Sequence, residues 1–146
     1  MSRKSERIAS MVKPGAESEL DPHYAGYFDL FNRQKFYEAH DVLEHIWLKD
    51  KSGPNGAFYK GLIQLAGAFV HLQKNRLRPA AALFKLALAN LEKYPVRHEH
   101  LDLAALRPRV QQWLSRLESA PDGENPLASG PGPKLALDLP QFPDRT

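Results

Sequence analysis

The sequence predicts an all-α domain of five helices, and three observations lead there. Apolar residues recur at i, i+3, i+4 and i+7 in five successive stretches, the spacing that lines one face of an α-helix. Proline and glycine interrupt the pattern between stretches, as at Ser52-Gly53-Pro54 and Tyr94-Pro95. No alternation of apolar and polar residues is strong enough to build a sheet.

Residues 1–20 are rich in Ser, Lys, Arg and Glu, carry a Pro14-Gly15 break and read as a flexible arm; the helical domain spans 21–118. Asp21 can cap a first helix that opens on Pro22, whose missing N–H costs nothing at that position. Tyr24, Tyr27, Phe28 and Phe31 follow at helical spacing, and the helix ends near Asn32. A second helix covers about 35–49, with Phe36, Ala39, Leu43, Ile46 and Trp47 on one side. So short a link makes the two antiparallel neighbours. The third helix, about 55–74, is apolar on two faces: Phe58, Leu62, Leu65, Phe69 and Leu72 on one, Tyr59, Ile63, Ala66 and Val70 on the other. That marks the central helix. Its Gly61 and Gly67 each cost about 1 kcal/mol in helix propensity, which points to a close neighbour.

A fourth helix, about 78–93, carries Leu83, Phe84, Ala87, Leu88 and Leu91 and ends at Tyr94-Pro95. Asp102 to Leu106 reads as a single helical turn, because Pro108 interrupts a longer helix begun there. The fifth helix, about 107–118, places Val110, Trp113, Leu114 and Leu117 on one face. Residues 119–146 hold six of the twelve prolines and form an extended or disordered tail, within which Lys134 to Leu139 alternates like a strap lying across the domain.

Composition excludes several classes of function. The chain's 146 residues, 42% apolar, suit one domain with its own core. Zero cysteines remove disulfides, thiolate metal sites and cysteine nucleophiles. No apolar run approaches the roughly 18–20 residues of a membrane span, and the N-terminus lacks the apolar core of a secretion signal. The expectation is a cytoplasmic protein that does not enter membranes. The net charge of +3 leaves residues 21–118 with fourteen basic against ten acidic side chains, spread too thinly for a nucleic-acid stripe. Gly-rich phosphate loops and the Gly-x-Ser-x-Gly elbow are absent.

Ionisable residues are densest over Glu38 to His45 on the second helix. At about 100° per residue, His40 falls between Phe36 and Trp47 on the apolar face with Glu44 one turn on, while Glu38, Asp41 and His45 point away toward water. His40 and Glu44, four residues apart, suit either a hydrogen-bonded pair or two ligands of one metal. Lys60, Gln64 and His71 make the one polar stripe of the third helix, with Gly67 between them. That stripe faces either solvent or the His40–Glu44 edge. In the second arrangement His40, Glu44, Gln64 and His71 line one pocket walled by Phe36, Trp47 and Tyr59. His40, His71 and Glu44 would then suit a divalent transition metal such as zinc, iron or nickel.

Phe31-Asn32, then Phe36-Tyr37-Glu38-Ala39-His40-Asp41-Val42-Leu43-Glu44-His45-Ile46-Trp47, then Lys60-Gly61-Leu62-Ile63-Gln64-Leu65-Ala66 resembles the small, mainly bacterial helical proteins grouped as domain of unknown function 309. The resemblance covers about residues 24–103. It implies a right-handed superhelical bundle related to helical-hairpin repeats, and no established reaction. The family pattern falls on Asn32, Phe36, Glu38, His40, Glu44, Trp47, Gly61 and Gln64. His100-Leu101-Asp102 stands where the family often has Gly-Leu/Val-Asp.

Helices one and two also have the rhythm of a single tetratricopeptide unit, which cannot stack alone. Two functions follow as expectations. The first is a helical binding or assembly module, homo-oligomeric or holding a protein partner, with the arm or Pro-rich tail as contact segment and Glu38, His40, Glu44, Trp47, Gln64 and His71 as binding residues. The alternative is a small metal-dependent or acid–base enzyme using His40 and Glu44.

Overall fold

The computed structural model describes residues 20–120 and 123–137. The expected arm lies outside the described residues apart from Leu20, and so does the tail beyond Leu137. Among the described residues there are five α-helices: α1 (Pro22–Asn32), α2 (Phe36–Lys49), α3 (Gly56–Gln73), α4 (Leu77–Leu91) and α5 (Leu103–Ser119). The strands β1 (Arg97–His98) and β2 (Leu101–Asp102) pair antiparallel before α5, and a 3₁₀ turn follows at Pro126–Ser129. The fold is all-α, and each helix packs on the next in sequence.

Helix α1 starts as its residues dictate. The Asp21 side chain accepts from the His23 N–H at 2.7 Å, and Pro22 occupies the first helical position. The helix ends in a Schellman turn. Lys35 N–H donates to Leu30 C=O and Gln34 N–H to Phe31 C=O, both at 2.9 Å, with Gln34 left-handed at φ 64°. The link between α3 and α4 repeats the device: Arg76 N–H donates to His71 C=O at 2.8 Å, Asn75 N–H to Leu72 C=O at 3.0 Å, and Asn75 has φ 56°. Two αα-hairpins thus share one three-residue turn, and they touch there, Gln73 Nε2 donating to Gln34 C=O at 3.0 Å.

The centre of the core is aromatic. Phe69 of α3 stacks on Phe36 of α2 at 5.0 Å and meets Phe31 of α1, Phe84 of α4 and Trp113 of α5 edge-on at 5.6, 5.2 and 5.0 Å. About two turns earlier on α3, a Cβ at Gly61 would stand 3.1 Å from Leu91, so the glycine sets how closely α4 approaches. The N-terminus of α3 is closed from α4: the Tyr94 hydroxyl accepts from Phe58 N–H at 2.9 Å and donates to Pro54 C=O at 2.8 Å.

Two expectations are corrected. The single turn over Asp102 to Leu106 and the helix over 107–118 are one continuous helix containing Pro108. The Asp102 side chain caps it, accepting from Ala105 N–H at 3.0 Å, and the helix continues through Pro108, its sixth residue, which cannot donate to the Ala104 carbonyl. Arg107 beside it donates to the carbonyls of Leu91 and Tyr94, closing the C-terminus of α4. The short hairpin departs from the sequence expectation as well. Its two-residue turn puts Glu99 and His100 at φ 47° and 61°, a type I′ geometry usually signalled by Asn or Gly. Tyr24 of α1 steadies it by donating to Glu99 C=O at 2.7 Å.

Phe69→Ala should lower the unfolding free energy by about 3–5 kcal/mol, the usual cost of emptying a fully buried phenylalanine site. Urea unfolding checks this: a shift of its midpoint worth less than about 1 kcal/mol would mean that the rings do not share one centre.

Candidate functional site

The residues singled out on α2 form a polar edge whose geometry differs from the helical-wheel expectation. His40 has a carboxylate at each ring nitrogen: Asp41 Oδ1 lies 3.2 Å from Nδ1, and Glu44 Oε2 lies 4.0 Å from Nε2. His40 and Glu44 therefore come together as their spacing implies. Asp41, which the wheel points toward water, is instead buried, 3% exposed. A wheel angle places it off the core side, but the adjacent imidazole turns to meet its carboxylate. His45, also directed toward water by the wheel, is half-buried and stacks on His23 of α1 at 4.8 Å with 16° between the rings. Glu38 is half-buried on the first turn of the same helix.

The other candidates turn elsewhere. Trp47 receives Lys60 over its ring at 4.3 Å and Lys51 at 5.4 Å, a cation–π arrangement at the end of α2. Gln64 Oε1 accepts from Asn90 Nδ2 at 2.8 Å, so it is engaged with α4 rather than with His40. His71 keeps its Nδ1 buried with no hydrogen bond. Among the described residues no group of three or more His, Cys, Asp or Glu side chains could hold a metal ion. His40, Glu44 and His71 are accordingly not gathered into one ligand set. The pocket expected from His40, Glu44, Gln64 and His71 is not assembled: His40 and Glu44 form a half-buried pair, Gln64 bonds Asn90, and the buried Nδ1 of His71 has no hydrogen bond.

A second candidate lies where α1, α3 and α5 meet, and here the strap expected over 134–139 meets Asn32, two features the sequence marks separately. Phe31, Leu65, Phe69, Leu106, Arg109, Val110 and Trp113 line one side of a groove whose other side is Pro133 and Leu135, the latter 6% exposed. Asn32 holds the backbone of that residue from both sides of its carboxamide. Leu135 N–H donates to Asn32 Oδ1 at 2.6 Å, and Asn32 Nδ2 donates to Leu135 C=O at 2.7 Å. Gln34 Nε2 donates to Pro133 C=O at 2.9 Å and Arg109 Nη2 to Lys134 C=O at 2.7 Å. Leu137 then bridges antiparallel to Leu101. The sequence signals are present, an asparagine at the end of α1 and apolar alternation over 134–139, but nothing in the sequence joins residues 103 positions apart.

Residues 24–83 match the family model of a domain of unknown function, DUF309. The resemblance carried by the Glu38–His40–Glu44 and Gly61–Gln64 blocks is thereby shown, over a shorter stretch than expected. An uncharacterized protein of Aquifex aeolicus (strain VF5) is 27% identical over 117 residues, which is 79% of this chain and 34% of the relative. The chain thus spans about a third of that relative's length. No solved structure matches. The DUF309 match takes in α1 to α3 and the start of α4, including Asn32 and the polar edge; α5 and the strap lie beyond it. Among the described residues no helix is long and apolar enough to cross a membrane.

One titration follows from the buried ring nitrogen. Burial first, then the cations of Arg76 and Lys74, hold the His71 imidazole below the usual histidine range. A depressed histidine favours the fold while neutral. Its contribution is complete above the unfolded-state value of about 6.5 and is lost as pH falls through the folded-state value. The melting temperature of His71→Gln should therefore drop less between about pH 7 and about pH 5 than that of the native chain. Parallel pH profiles for the two proteins would remove His71 from the acid response.

Proposed function

We propose that this chain is a helical docking module that holds an extended segment of polypeptide in the groove between α1, α3 and α5. The two-way pairing of Asn32 with the Leu135 backbone carries this reading. A carboxamide offers a donor and an acceptor side by side, as a peptide group does, and so takes extended chain as a neighbouring strand would. The apolar floor from Phe31 to Trp113 supplies the desolvation that makes such pairing worth keeping. A protein partner, or a second copy of the chain, fits this chemistry better than a nucleic acid, since the groove floor is apolar and the cation that lines it, Arg109, is engaged with a carbonyl. The enzyme alternative would rest on the His40–Glu44 pair, to which no third ligand is added among the described residues. A cytoplasmic location belongs to the same reading, because a chain without cysteine has no need of an oxidising compartment; cell fractionation checks it.

The test uses a chain whose own strap is weakened by Leu135→Asp and a peptide with the sequence of residues 130–137. Trp113, observed in a Trp47→Phe background, lines the groove and reports occupancy by its emission. The expected result is a saturable change. Adding Asn32→Asp, which keeps the acceptor and loses the donor, should weaken binding about tenfold, or about 1.4 kcal/mol, the scale of one hydrogen bond. Emission that never saturates, or saturates alike with and without Asn32, excludes the groove as a peptide site.

A further inference from the structure

Resting on the docking reading, we infer that the groove selects segments of the pattern Gly-Pro-x-Leu-x-Leu, and that the strap is a resident copy of that pattern which competes with such segments in cis. Each position of the pattern has its own physical reason. At the first, a Cβ on residue 132 would fall inside the Gln34 side chain, whose Nε2 donates to both Phe31 C=O and Pro133 C=O. A larger residue would displace that carboxamide, the movable end of a long side chain, and give up the bond it makes to Pro133. At the second, Pro133 is buried, offers only its carbonyl and has no N–H that would be left unpaired. The third, Lys134, is exposed and touched through its carbonyl alone, so its side chain is free to vary.

Leu135 fills the apolar floor at the fourth position, between Phe31 and Trp113. Ala136, at the fifth, is exposed like Lys134. At the sixth, Leu137 packs against the core and its backbone bridges to Leu101. Backbone pairing therefore supplies part of the hold, leucine at the fourth and sixth positions carries most of the discrimination, and glycine at the first adds the Gln34 bond it spares.

The strap is delivered to the groove by a fixed lead. Asn125 Nδ2 donates to Leu72 C=O at 2.6 Å, and Arg116 Nη2 donates to Pro126 C=O at 3.1 Å, which seats the 3₁₀ turn on α3 and α5 immediately before it. A segment tethered this closely has an effective concentration on the order of millimolar. A segment arriving from another molecule meets an occupied groove, and binds well only if it matches the pattern or if the strap is released.

The experiment uses the full-length chain, native and with the strap released by Leu135→Asp or, independently, by Gly132→Val; both changes leave every groove residue on the helices in place. A fluorescein-labelled peptide of the sequence of residues 130–137 is titrated by anisotropy, alongside versions with valine at the position of Gly132 or aspartate at that of Leu135. Thermal melts confirm that the released chains unfold cooperatively, and either release suffices. The expected outcome is binding at least about tenfold tighter to the released chains than to the native one, with each altered peptide losing about tenfold or more. Equal affinity for native and released chains, or indifference to the altered positions, overturns the inference while leaving a peptide-binding groove. Failure of every peptide to bind any chain overturns the inference and the docking reading together.

Discussion

The position of one ring, Phe69, constrains nearly everything else in the bundle. It lies on the central helix and touches an aromatic ring from each of the other four, so no helix can shift without disturbing a contact shared by the rest. Aromatic pairs at these distances add about 0.5–1.5 kcal/mol each beyond the area they bury. One stacked and three edge-on contacts also fix orientation, which a purely aliphatic centre would leave looser. Phe31 and Trp113, two of the four partners, are walls of the groove that takes the strap. The packing centre and the candidate binding surface are therefore two sides of one aromatic cluster.

The twin turns explain why that surface sits where it does. Gln34 and Asn75 both adopt the left-handed conformation after a helix, and the turns are joined by Gln73 to Gln34. This brings the ends of α1 and α3 to one side of the bundle. Asn32, in the last position of α1, presents its carboxamide there to the strap rather than to its own helix. The strap crosses the same end, with Asn125 reaching the Leu72 carbonyl of the second turn. A repeated local solution, used twice for folding, has left a rim of carboxamides and carbonyls suited to meeting extended chain.

The helices are legible in the sequence because burial and periodicity are the same fact seen twice: Phe36, Ala39 and Leu43 recur at helical spacing and are all buried. The departures share a different cause. Pro108 reads as a stop, but Leu103 and Leu106 before it and Val110 and Leu114 after it are buried in the same core, and that tertiary packing carries the helix through. Glu99 and His100 hold left-handed conformations that residue type rarely announces. Asp41 belongs to water only on a wheel that knows its own helix and nothing else. Chemical likeness groups Gln64 with His40, whereas its partner Asn90 is a neighbour only through the close approach of α4. The polar edge is half legible and the groove only in its separate parts, because a pair such as His40 and Glu44 is written in local spacing while Asn32 and Leu135 are joined only by tertiary folding.

The hydrogen bonds of the strap have a property best seen as a question of register. Carboxamides and carbonyls grip backbone, and backbone repeats at every residue, so these bonds alone would tolerate sliding. A slide of one residue would turn Lys134 and Ala136 inward and both leucines outward, since extended chain alternates its faces. A slide of two restores the alternation, and each direction meets its own obstacle. Drawn one way, Leu137 would replace Leu135, but Lys134 would then stand where Gly132 lies and drive its Cβ into the Gln34 carboxamide. Drawn the other way, Gly130-Pro131 would fit the place of Gly132-Pro133, but Pro133 would come to the place of Leu135 without the N–H that Asn32 Oδ1 accepts. A missing side chain disfavours one slide, which would cost the Gln34 bond, and a missing hydrogen disfavours the other. Together they convert a grip that is blind to position into one that favours a single setting.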